Sequence, residues 1–94
     1  MQKITKIKVQ KMTKKEPREL HDIAYEIAGD WGSKTSIHAR PYLQAMMALR
    51  HIDEMYGLES AKTVVLYFLA NAQSWRGETA RRIKQELKDM AGIN

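Results

Sequence analysis

The sequence predicts a small all-α domain of four helices behind a basic N-terminal arm. Apolar residues recur at three- and four-residue intervals in four successive stretches between about residues 17 and 91. Glycines at 29, 32, 57, 77 and 92 stand mostly between or just beyond those stretches, where helices end. Positive charge collects ahead of them. Residues 1–18 carry seven Lys and Arg against one acid, and residues 19–94 carry nine against ten. The expected architecture is a compact four-helix bundle, with helices at about 17–29, 37–56, 59–73 and 75–91. Residues 17–94 form the single domain and 1–16 the arm. A chain of 94 residues has room for one domain. Its core is small, since a chain of this size buries only about 60–65% of the surface exposed on unfolding.

Within the arm, Thr5, Ile7 and Val9 alternate with Lys6, Lys8 and Gln10. That period of two suits a short strand with one apolar face, which would need a partner such as the same segment of a second copy. A terminal arm without fixed structure in isolation fits the composition equally well. In either case Lys3, Lys6, Lys8, Lys11, Lys14, Lys15 and Arg18 make it the candidate polyanion-binding segment.

The first helix has Thr13 and Glu16 at capping-box spacing and Pro17 suited to a first turn. Leu20, Ile23, Ala24 and Ile27 then give one apolar stripe, with Trp31 folding back over it. The second helix starts between Ser36 and Pro41. Tyr42, Ala45, Met46, Leu49, Ile52 and Tyr56 share its inner face. Leu43 and Met47 fall on the other side, and Tyr25 lies off the first helix's stripe. Leu43 and Met47 are therefore the candidate partner-binding or dimerisation residues.

The third helix is the most apolar. Leu58, Ala61, Val65, Phe68, Leu69 and Ala72 form its main stripe, and Val64, Leu66, Tyr67 and Ala70 cover much of the rest. A helix apolar nearly all round is expected at the centre of a fold. Ser74 is placed to cap the last helix, in which Ala80, Ile83, Leu87 and Met90 face inward, Glu78 pairs with Arg82, and Gly92 ends the run. If that helix starts at Trp75, Arg76 points within about 20° of Ile83, into the apolar face. An inward guanidinium needs a carboxylate. Asp53 of the second helix is the expected partner, as a structural ion pair at a helix junction.

No constellation for catalysis emerges. His21, His38 and His51 are the three imidazoles and cysteine is absent, so no metal site or disulfide is expected. His51 and Glu54 reverse the Glu-x-x-His order of di-iron bundles, and the His21-Asp22 doublet reads as exposed helix surface. The dispersed glycines form no phosphate loop, and the serines sit at loops and helix starts, where capping explains them. No enzyme and no cofactor are expected. The longest apolar run, Val64 to Ala70, is far short of the ~20 residues of a membrane span, and no apolar stretch follows the basic N-terminus as in a signal peptide. The expected location is cytoplasmic.

Two function classes remain. One is nucleic-acid or other polyanion binding through the arm, without sequence preference. A helix-turn-helix built from the third and fourth helices fits less well, because ANAQSWRG is longer than that motif's turn. The other is contact with a protein, either a second copy or a partner that is bound or inhibited.

The block PYLQAM (41–46) together with YFLANAQSWRGETARRIKQEL (67–87) resembles small proteins of bacteriophage and prophage genomes that share Pro-Tyr-Leu-x-Ala-Met and Phe-Leu-Ala-Asn-Ala…Trp-Arg-Gly-Glu motifs. The resemblance spans about residues 23–90 and excludes the arm. It implies a phage setting, with a DNA-associated accessory factor or an inhibitor of a host protein as the usual roles. The group has no established activity, so no catalytic or binding residue is carried over from it.

Overall fold

The computed structural model describes residues 17–93. The arm's lysines, the alternating segment and the Thr13–Glu16 capping box lie outside the described residues. The described chain is mostly helical, in the order α1 (Leu20–Trp31), a 3-10 turn (Gly32–Lys34), α2 (Arg40–Met46), β1 (Met55–Tyr56), β2 (Glu59–Ser60), α3 (Ala61–Ala70) and α4 (Glu78–Ala91). The two strands pair antiparallel, Met55 opposite Ser60 and Tyr56 opposite Glu59.

One apolar cluster joins all four helices. Leu20, Ile23, Ala24, Ile27 and Trp31 from α1 meet Leu43, Ala45 and Met46 from α2, Ala61, Val64, Val65 and Phe68 from α3, and Ala80, Ile83, Leu87 and Ala91 from α4. The stripes read for α1 and α4 are therefore the faces these helices bury. Facing pairs run in opposite senses, Arg18 with Glu86 and Asp30 with Trp75, so α1 and α4 lie antiparallel.

The second helix departs furthest from the periodicity. It ends at Met46 instead of near residue 56, and turns and the hairpin follow. The reason lies at the start of α1, whose N-cap residue Glu19 gives no side-chain cap. The amides of Leu20 and His21 donate instead to the carbonyls of Arg50 and Leu49, each at 2.9 Å. Helix N-termini leave such amides without partners. Continuing α2 would commit those carbonyls to its own ladder. Glu54 secures the turn, its Oε1 accepting from the Arg50 amide at 2.8 Å.

The hairpin also changes α3. Ser60 caps it, its hydroxyl accepting from the Thr63 amide at 3.0 Å. Leu58, read as part of the apolar stripe, sits in the turn and is 99% exposed, and Tyr56 is exposed as well. Val64, Val65 and Phe68 are buried as expected. Enclosure on all sides is not observed, since Ala70 and Tyr67 reach solvent and Tyr67 packs on Tyr42 with ring centroids 5.3 Å apart.

The start of α4 moves from residue 75 to Glu78. Gly77 is its N-cap residue at φ 113°, ψ −178°, a conformation for which glycine is suited and which no helix contains. Ser74 does not cap the helix. Residues 71–77 form the connection from α3, and it is pulled inward at Trp75, which is 2% exposed.

Candidate functional site

Trp75 organises one end of the molecule. Its ring stacks on Trp31 at a 5.6 Å centroid distance and 17° between planes, and Phe68 meets both rings edge-on at 6.2 and 6.3 Å. The indole Nε1–H would be an orphan in that setting. It donates to Asp30 Oδ2 at 2.9 Å. Lys84, nearly two turns into α4, also reaches Trp75. Its Nζ donates to the Trp75 carbonyl at 2.6 Å and lies 5.8 Å from the ring centroid. Burial lowers the Lys84 ammonium below the usual lysine range, and Arg76 and Lys88 push in the same direction.

Beside this cluster is a cleft of about 510 Å³ lined by Asp30, Trp31, Lys34, Ser74, Trp75 and Arg76. Lys34 and Arg76 are exposed and form no salt bridge among the described residues. The expected Arg76–Asp53 pair is absent there. Arg76 lines this cleft, whereas Asp53 lines another of about 620 Å³ with Pro17, Arg18, Arg50, His51, Ile52, Asp89 and Met90. Arg76 precedes α4, which starts at Glu78, and so is not held to the apolar face of that helix.

Cations on the two flanks of α4 have different fates. Toward α1, Arg18 binds Glu86 with two nitrogens, Nε to Oε2 at 3.0 Å and Nη2 to Oε1 at 2.8 Å, and donates from Nη1 to Glu26 Oε1 at 2.9 Å. Arg82 takes the second oxygen of Glu26, not Glu78 as the helical spacing suggests. Arg82 first, then Arg18, holds the Glu26 carboxyl below the ordinary glutamate range. Arg18, read as part of the polyanion-binding arm, is thus engaged internally, and its guanidinium is raised above its usual range chiefly by the Glu86 hydrogen bond. At about 100° per residue, Arg81, Lys84 and Lys88 line the other flank. Arg81 and Lys88 make no salt bridge among the described residues.

Leu43 and Met47 do not form the outward pair read from the wheel. Leu43 is 5% exposed and belongs to the core, while Met47, just after α2, is half-buried against it. The short α2 packs across α1 and α3 and so uses more than one face. A free apolar surface lies instead on the hairpin, where Met55, Tyr56 and Leu58 are exposed. Periodicity missed it by extending two helices through it, although Gly57 marks the turn.

At the start of α1, Glu19, His21 and Asp22 bring one donor atom each within 4.8 Å of one another. His21 Nε2 lies 2.6 Å from Glu19 Oε1 and Nδ1 lies 3.3 Å from Asp22 Oδ1. The His21 contact, aided by Arg50, keeps the Glu19 carboxyl below its usual range. With both ring nitrogens facing carboxylates, the group is paired within itself. No helix among the described residues is long and apolar enough to cross a membrane. Comparisons with protein-family models, curated proteins and solved structures gave no match.

Proposed function

We propose that this is a non-enzymatic binding protein whose cationic N-terminal segment engages nucleic acid or another polyanion. The carrying observation is the charge distribution. Six lysines against Glu16 occupy residues 1–16, whereas residues 17–94 hold ten basic and ten acidic side chains. Such separation concentrates attraction for polyanions on one part of a neutral molecule. The resemblance to phage proteins is compatible with a DNA-associated accessory role. The test is retention on heparin and on DNA at several salt concentrations, for the native chain and for a variant with Lys3, Lys6, Lys8, Lys11, Lys14 and Lys15 changed to Gln. Salt-sensitive retention that weakens in the variant supports the reading. Equal, salt-insensitive behaviour of both removes it.

A second reading, a protein-binding or self-associating module, draws on the exposed Met55, Tyr56 and Leu58 of the hairpin. Light scattering of the native chain and Leu58→Asp tests self-association. A monomeric native mass counts against a homodimer.

A further inference from the structure

The inference deepens the polyanion-binding reading and rests on it. We infer that Arg76, Arg81 and Lys88, flanked by Lys34, form a second contact surface that follows the phosphate backbone of duplex nucleic acid without reading its sequence.

α4 divides its charges between two flanks. The flank toward α1 is internally neutralised, with Arg18 and Arg82 sharing Glu26 and Arg18 holding Glu86. On the opposite flank the cations lie at i, i+3 and i+7 as Arg81, Lys84 and Lys88, and Arg76 extends the row past the helix start to Lys34 at the cleft. Lys84 is committed to the Trp75 carbonyl and ring, so it holds the row in place and is not counted as a contact. Asp30, bonded to the Trp75 indole, Asp89, which accepts from Gln85, and Glu78, toward the outer face of α4, keep their charges, so the surface carries five cations, Lys84 included, against three acids. Residues 1–16 could add only Glu16. Clustered cations repel one another, and the electrostatic influence of Arg76 and Lys88 on Lys84 shows that they lie within reach. An incoming anion relieves that repulsion.

Geometry selects the class of anion. From Arg81 to Lys88 the helix rises about 10 Å, at about 1.5 Å per residue. One strand of a duplex presents a phosphate about every 3.4 Å of axis, so a row laid along the axis passes about three. Base stacking on single strands requires exposed aromatic faces. Trp31 and Trp75 beside the row are 5% and 2% exposed. Protein hot spots and membrane insertion call for exposed apolar anchors. The large exposed hydrophobics, Tyr25, Ile37, Met55, Tyr56, Leu58 and Tyr67, all lie outside α4. What remains is charge alone.

The test uses full-length protein and fluorescence anisotropy with two labelled duplexes of unrelated sequence and a single strand of equal length, across a salt series. Arg76→Gln/Arg81→Gln/Lys88→Gln is compared with the native chain, with the six-lysine arm variant, and with Arg40→Gln/Lys62→Gln as a control for net charge. Arg76 and Arg81 are exposed and Lys88 is half-buried, so circular dichroism verifies folding. The expected result for the triple variant is about tenfold or more weaker binding to both duplexes. Its slope of log affinity against log salt should be smaller by about 2–3. The control, which loses two cations placed away from this surface, should change its slope by less than about one unit in all and retain the larger part of the affinity. Native affinity and slope in the triple variant, with loss only in the arm variant, would overturn this surface and leave the arm. Equal losses in control and triple variant, or tighter binding to the single strand, would also overturn it. So would competition by polyglutamate or phosphatidylserine vesicles as effective as that by unlabelled duplex at equal charge. Absence of binding by every form would remove both this inference and the reading beneath it.

Discussion

The indole Nε1 of Trp75 donates to Asp30 Oδ2 at 2.9 Å, joining the connection before α4 to the end of α1 across 45 positions of chain. It gives a buried ring its polar partner and fixes where Arg76 emerges. Asp30→Ala leaves the indole N–H unsatisfied and is expected to cost about 1–2 kcal/mol, whereas Asp30→Asn keeps an acceptor and should cost less. Urea unfolding of the two variants measures the difference. Equal stability of Asp30→Ala and the native chain would show that the bond contributes nothing.

The Arg18–Glu86 and Arg18–Glu26 contacts tie the chain just before α1 to α4. These groups are partly exposed, so a double-mutant cycle on Arg18 and Glu86 is expected to give a coupling of about 0.5–1 kcal/mol, smaller at high salt.

The pH dependence follows from the depressed carboxyls of Glu19, Glu26 and Glu54, the last held low mainly by the Arg50 amide. A carboxyl lower in the folded than in the unfolded state contributes stability that is complete above the unfolded value, about 4.3. That contribution is lost as the pH falls through the lower folded values. Thermal midpoints should decline on acidification below about pH 5. Arg18→Gln/Arg82→Gln should flatten that decline, because Glu26 loses both guanidinium partners.

Leu58 and Phe68 share one apolar stripe by helical spacing, yet 99% of one and none of the other is exposed. Phe68→Ala is expected to cost about 3–5 kcal/mol, and Leu58→Ala to fall within about 0.5 kcal/mol of the native chain. Leu43→Asp, which places a charge in the core, should unfold the protein at room temperature. A folded Leu43→Asp variant of native stability would contradict the packing of α2.

Gly77 holds φ at 113°, so Gly77→Ala should cost about 1–3 kcal/mol through backbone strain alone, since the space around it is open. Ser60→Ala, which removes the cap of α3, should cost about 1 kcal/mol. Chemical denaturation gives both values, and a neutral Gly77→Ala would mean that the connection relaxes.

The residues by themselves determined the existence and type of four helices and the inner faces of two. Leu20, Ile23, Ala24 and Ile27 in α1, and Ala80, Ile83 and Leu87 in α4, are buried as their spacing implies, because an amphipathic helix has one way to hide a single stripe. Charge separation between arm and body is likewise a property of the sequence. Tertiary structure decided where α2 stops, because the carbonyls of Leu49 and Arg50 serve the amides of α1, and hydropathy carries no record of such long-range bonds. It decided that Leu43 goes inward and Leu58 outward, since a short helix crossed by two others and a hairpin both break a single-helix wheel. It also decided which cations are neutralised. Arg18 and Arg82 meet Glu26 and Glu86 only when α1 and α4 lie antiparallel, and that packing leaves Arg76 and Arg81 exposed and Lys88 half-buried, without a salt bridge among the described residues.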